Sequence, residues 1–143
     1  MTLMTLLSIR NQLPGTVTAV QTGEVMATVR IRLDGGQDLM AAITLEAAHQ
    51  LGLTAGTAVQ ALVKSTEVSL AAGQVAGLSI RNRLPGTITG LTIGDIMASV
   101  KIILEGAELT SVITKEAATD LGLFVGSDVV ALIKATEVSV ATA

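Results

Sequence analysis

The chain repeats itself, and that constrains its fold more than any other feature. Ser8–Ala71 aligns with Ser79–Ala141, at an offset of 71 from Ser8/Ser79 through Leu33/Leu104 and 70 from Leu39/Leu109 onward. Both copies must therefore build the same structure. Each has about 63 residues, and a unit of that size buries a modest fraction of its surface and is marginal alone. Packing of the copies on each other or on partner chains is expected to make up the deficit. The lost residue falls where Asp34-Gly35-Gly36-Gln37-Asp38 faces Glu105-Gly106-Ala107-Glu108. Glycines and acids there read as a hairpin loop, which tolerates a change of length. The expected organisation is a first domain over 8–71, a linker over 72–78 and a second domain over 79–141. The linker, Ala72-Gly73-Gln74-Val75-Ala76-Gly77-Leu78, is built of small residues with two glycines.

Hydrophobic periodicity gives the same elements in each copy. Gly15–Gln21 is β-branched and alternating, a strand. In Val25–Leu33, Val25, Ala27, Val29, Ile31 and Leu33 share one face, while Thr28, Arg30 and Arg32 share the other. Leu39–Ile43 reads as a third strand. Thr44–Gly52 reads as a short helix with Thr44 as N-cap, Glu46 in the first turn and Gly52 at the left-handed C′ position. Thr114–Gly122 repeats these signals. Val59–Val63 and Val68–Ala71 complete the set. The predicted fold is mainly β: two tandem OB-like, five-stranded Greek-key barrels, each with a short helix.

Composition narrows the function. The chain has no Cys, so it has no disulfide, thiolate metal site or Cys nucleophile. A cytoplasmic location fits. The net charge is −3, with 9 basic and 12 acidic residues, so the basic surplus of a polyanion binder is missing. Half the residues are hydrophobic yet Phe124 is the only aromatic. Single-strand nucleic-acid binders need aromatic platforms, so a nucleic-acid role is disfavoured. No apolar run approaches the roughly 18 residues of a membrane span. Met1–Leu7 lacks a basic n-region and a small-residue cleavage site, and is not read as a signal peptide. The apolar excess points to subunit interfaces. The five Met residues read as core or interface filler. No nucleophile–base pair, metal-ligand cluster or phosphate loop appears, and the single His49 faces Thr119; an enzyme is not expected.

Two motifs carry the chemistry. The first is Ser8-Ile9-Arg10-Asn11-Gln12-Leu13-Pro14-Gly15-Thr16, repeated as Ser79-Ile80-Arg81-Asn82-Arg83-Leu84-Pro85-Gly86-Thr87, read as leading through a Pro-Gly turn into the first strand. The second is Lys64-Ser65-Thr66-Glu67-Val68, repeated as Lys134-Ala135-Thr136-Glu137-Val138. Surface charges drift between the copies: Arg32 faces Ile103, Leu45 faces Lys115 and Ala58 faces Asp128. Three basic positions persist: Arg10/Arg81, Arg30/Lys101 and Lys64/Lys134. Arg30/Lys101 sits on the polar face of a long strand. The others lie beside hydroxyl residues, which suits an oxyanion. A tetrahedral dianion only accepts hydrogen bonds, so its site supplies ammonium or guanidinium groups, hydroxyls and N–H. A helix start adds donors and a favourable dipole, making Thr44 and Thr114 candidates. The bland alternatives are solvated strand-end lysines, turn-capping Ser8 and Ser79, N-cap threonines, and Asn11 and Asn82 bonding backbone within the turn. Glu67 and Glu137 would repel an anion and are expected to partner nearby donors.

These motifs, with Ile43-Thr44-Leu45-Glu46-Ala47 and Leu51-Gly52-Leu53 and their second-copy equivalents, resemble the Mop, or molbindin, domain. Two such domains in one short chain are similar to the di-Mop proteins. The resemblance implies OB-like domains, homotrimers, and binding of molybdate or tungstate at domain and subunit interfaces. It implies storage or buffering of the oxyanion, without catalysis, cofactor or a directly ligated metal. The residues it implicates are Ser8, Arg10, Asn11, Thr44, Lys64 and Ser65, with Ser79, Arg81, Asn82, Thr114, Lys134 and Ala135. Arg10 and Arg81 are left open between side chain and backbone N–H. Ala47, Ala117 and Ala135 stand where relatives carry Ser, so unequal sites are expected. Because the two motifs lie at opposite ends of each repeat, they need not meet within one repeat. The expectation is that the opening motif of one domain faces the lysine of a neighbour in the trimer. The alternatives are an oxyanion-sensing regulatory module and an OB-type nucleic-acid binder.

Overall fold

The computed structural model describes residues 6–142; Met1–Thr5 of the opening segment, including Met1 and Met4, lie outside the described residues. The first repeat runs β1 (Asn11–Thr22), β2 (Met26–Leu33), β3 (Asp38–Thr44), α1 (Leu45–Gln50), β4 (Ala58–Val63) and β5 (Ser69–Ala71). The second runs β6 (Asn82–Ile93), β7 (Met97–Leu104), β8 (Ala107–Thr114), α2 (Lys115–Asp120), β9 (Asp128–Ile133) and β10 (Ser139–Thr142). A single 3-10 turn, Ser65–Glu67 or Ala135–Glu137, precedes each last strand. The fold is mainly β, with two five-stranded curled sheets and two short helices.

The sheet order is β10-β4-β1-β2-β3 in one and β5-β9-β6-β7-β8 in the other. Each sheet thus takes four strands from one repeat and its edge strand from the other. Val140 of β10 lies opposite Ala61, and Leu70 of β5 lies opposite Ala131. The exchange gives each half part of its edge from the other, which offsets the small core of a single repeat.

The periodicity of β2 holds in three dimensions. Ala27, Val29, Ile31 and Leu33 are buried, with Arg30 and Arg32 facing water. Val25 departs from the expectation: it lies outside the strand and is 72% exposed. The hairpin turns back at Gly23, whose N–H donates to the Met26 carbonyl, so Val25 sits at the tip rather than over the core. Met26 and Met97, at the same tips, are also exposed and fill no core.

The Pro-Gly steps are not turns. Pro14 and Gly15 lie inside β1, opposite Gln60 and Val59 of β4. The β1–β2 ladder begins only at Gly15, opposite Leu33, and the Pro14 carbonyl accepts from Asp34 N–H at 3.0 Å beyond the end of β2. The proline's missing donor therefore falls where no strand carbonyl needs it. Glycine follows because the strands close in: a Cβ on Gly15 would meet the Arg32 carbonyl oxygen at 2.6 Å and Ile31 Cγ2 at 2.7 Å.

Both helices form as read. The Thr44 and Thr114 hydroxyls accept from Ala47 and Ala117 N–H at 3.1 and 3.0 Å, and Gly52 and Gly122 take φ of 62° and 61°.

Candidate functional site

The antiparallel pairing of β1 with β4 places Asn11 opposite Val63. The residues just before the one and just after the other therefore adjoin. Ser8, Ile9, Arg10, Lys64, Ser65 and Thr66 line one open cleft of about 250 Å³. The opening motif and the lysine motif thus meet within one repeat. Their distance in sequence concealed this, because an antiparallel ladder joins the start of the first strand to the end of the fourth. In the second half, Asn82 lies opposite Ile133, which sets Arg81 beside Lys134 in the same way.

Ser8, Arg10 and Lys64 are exposed. Lys64 follows the end of β4, and its carbonyl accepts from Glu67 N–H at 2.9 Å as the 3-10 turn begins. Ser65 differs from its neighbours: its Oγ is buried and has no hydrogen-bond partner among the described residues. A buried hydroxyl without a partner costs about 1–3 kcal/mol. A ligand in the cleft would relieve that cost. Ala135 removes the group from the other half.

Asn11 and Asn82 are buried, but their amides are committed elsewhere. Asn11 Nδ2 donates to the Thr110 carbonyl at 2.8 Å, and its Oδ1 accepts from Thr110 N–H at 2.7 Å. Asn82 does the same with Met40, at 2.8 and 2.7 Å. Each side chain imitates a strand and clips the opening motif of one repeat to the third strand of the other. The partner is distant backbone, not the local turn that the sequence suggested.

Thr44 lies elsewhere, in a cleft it shares with Glu24, Val25, Leu45, Glu46, His49 and Gln50. Within one chain it does not join Ser8 and Lys64. Val25 and Ile96 accept from the first N–H of α1 and α2, at 2.8 Å each, so the exposed hairpin tips flank both helix starts. Glu67 and Glu137 make no side-chain hydrogen bond or ion pair among the described residues; they are exposed, so water takes the place of the expected donors. His49 is exposed, and no group of three or more metal-ligating side chains occurs among the described residues. Sequence reading missed buried Ser111, whose Oγ donates to the Val68 carbonyl at 2.7 Å. Its counterpart is Ala41, so the comparison of copies carried no signal for it.

The model of the TOBE domain matches this chain twice, over residues 7–70 and 78–140. The chain belongs to the TOBE domain family. The two matches coincide with the repeats and cover both motifs. The TOBE chain is also similar to a solved structure of ModG, described as a cytoplasmic molybdate-binding protein, in a form with molybdate bound. Identity is 42%, the match covers 96% of this chain and 99% of that one, and the TM-score is 0.93. Among curated relatives, the molybdenum-pterin-binding protein MopA of Rhodobacter capsulatus is 40% identical over 134 residues, covering 92% of this chain. The molybdenum transport protein ModE of Herbaspirillum seropedicae is 37% identical over 137 residues, covering 94%. The chain spans about half the length of the curated relatives it matches, at 51% of each of these two. No helix of the described residues is long and apolar enough to cross a membrane.

Proposed function

We propose that this TOBE protein binds molybdate, and tungstate with it, as a cytoplasmic store or buffer rather than as an enzyme. The observation that carries the reading is the convergence of Ser8, Arg10, Lys64, Ser65 and Thr66 on one cleft with an unpartnered buried hydroxyl. These groups supply hydroxyl, ammonium and guanidinium donors, which suit a dianion that carries no proton at neutral pH. Phosphate is partly protonated there, and its O–H would find no carboxylate acceptor among these side chains, only hydroxyls needed as donors. The full-length similarity to ModG supports the same ligand.

The site is shared between subunits of a homotrimer. Thr44 and Thr114 stand apart from the clefts in one chain, beside exposed Val25 and Ile96, the latter 76% exposed. Closure of a neighbour's cleft against these helix starts would hide the apolar tips and add the threonine hydroxyls to the anion. The two halves then bind unequally, because Ser65 faces Ala135 across the repeat. A second reading, an oxyanion-sensing module, draws on the similarity to ModE, of which this chain matches about half.

Native mass spectrometry with and without molybdate tests the reading, because it counts subunits and anions together. The expected result is a trimer that gains anions of molybdate mass. Lys64→Ala and Lys134→Ala are each expected to lose only their own class of site while the trimer survives. A stable monomer, or an unchanged anion count in both variants, refutes the shared lysine site.

A further inference from the structure

Of the three basic positions that both copies keep, Arg30/Lys101 takes no part in the clefts described above. Its surroundings differ between the halves. Arg30 lies in β2 opposite Met40, the residue whose backbone Asn82 clips. The start of β6 is therefore held against β3. A cleft of about 410 Å³ opens along this seam, lined by Arg30, Asp38, Met40, Arg81, Asn82 and Arg83.

At the pseudo-equivalent seam, Lys101 lies opposite Thr110, which Asn11 clips. There Lys101 Nζ donates to Thr110 Oγ1 at 2.9 Å, so the cation has one partner within the protein. Met40 offers Arg30 no such hydroxyl. Gln12 stands where the first seam has Arg83, and Glu108 lies opposite Ile103. At the first seam the corresponding acid, Asp38, is paired with Arg32 Nε at 2.6 Å. Arg83 donates to the Leu78 and Ile80 carbonyls and adds its charge without a free fork. The Arg30 and Arg81 guanidiniums make no hydrogen bond or ion pair among the described residues. The duplication has thus diverged: the first seam holds two uncommitted guanidiniums, Arg30 and Arg81, while the second holds one, Arg10, beside a lysine already bonded to Thr110.

We propose that the Arg30–Arg81 seam is a further anion site, centred on Arg30 and complete within a single chain, for a phosphate group, free or as a monoester. Guanidinium forks match phosphate oxygens bidentately. Asp38 lines the same cleft and, being open to water, can accept from a protonated phosphate oxygen. The Ser8–Lys64 cleft is lined by no carboxylate. Arg81 also borders Lys134 in the second-half cleft, so the two readings share that residue, and Arg30, which takes no part in either lysine cleft, distinguishes them.

Calorimetric titration of the full chain at low salt with inorganic phosphate, and in parallel with methyl phosphate, tests this. Saturable binding is expected at one phosphate per chain. Arg30→Ala is expected to weaken it at least about tenfold, the effect of losing one charge-assisted bond. Arg30 is exposed, and an unchanged melting temperature would confirm that the variant folds. The Lys64→Ala/Lys134→Ala double variant is expected to bind phosphate as the parent does, whatever becomes of molybdate. Tighter binding of inorganic phosphate identifies the free anion as the ligand, and equal or tighter binding of methyl phosphate identifies the ester. Absence of saturable phosphate binding, binding unchanged in Arg30→Ala, or loss only in the lysine double variant would overturn the proposal.

Discussion

Replacing Asn82 with alanine isolates one of the two clips that join the halves. The side chain is 3% exposed and makes two hydrogen bonds to the Met40 backbone, at 2.7 and 2.8 Å. Each such bond contributes about 0.5–1.5 kcal/mol net, and leaving its partner buried and unmet raises the loss to about 1–3 kcal/mol. Met40 is half-buried, so water reaches its amide and carbonyl in part, which holds the loss near the lower end of that range for each bond. Asn82→Ala is therefore expected to cost about 2–4 kcal/mol, a large part of the stability of a small protein. Urea unfolding measured by circular dichroism gives the number. Gln50→Ala serves as a control, because its exposed side chain makes one long bond of 3.4 Å to Glu46 Oε1; it should cost under about 0.5 kcal/mol. Asn82→Asp keeps the acceptor but loses the donor to the Met40 carbonyl and should be destabilising as well. Hydrogen exchange in Asn82→Ala should quicken first at Met40. A loss below about 1 kcal/mol would show that this clip is dispensable and that the Asn11 clip, the exchanged strands and apolar contact suffice to hold the halves.

The two clefts can be exchanged in character: Ser65→Ala should weaken molybdate binding at sites lined by the first repeat about 10–150-fold, the value of one hydrogen bond to a charged group, and Ala135→Ser should strengthen the second. Equal affinities in the parent and both variants, by calorimetry, would remove the hydroxyl from the site. Truncation before Ser139 should speed hydrogen exchange in β4 of the first repeat, its ladder partner, and leave β9 protected. Loss confined to β9 would mean that the strands are not exchanged. Gly15→Ala drives a Cβ to within 2.6 Å of the Arg32 carbonyl oxygen and should cost about 1–3 kcal/mol, read as a lower melting temperature. An unchanged temperature would show that β1 can move away from β2.

The sequence by itself determined the local parts. Alternation in Ala27–Leu33 marked the buried face of β2, because strand side chains alternate with a period of two wherever the chain lies. Thr44 and Gly52 bounded α1, because capping depends on residues within one turn of the helix end. Duplication singled out the basic positions, including those that line the Ser8–Lys64 cleft. What the sequence left open was every pairing between distant segments. Pro14-Gly15 carries the composition of a turn, yet the ladder with β4 draws it into a strand. Asn11 and Asn82 have the chemistry for a local turn, and only the approach of β8 and β3 gives them backbone partners on the other repeat. The exchange of β5 and β10 was invisible, because similar repeats offer each last strand two nearly equivalent edges. Chain direction and the short linker select between such edges in three dimensions, and neither leaves a mark on the residues of the strand.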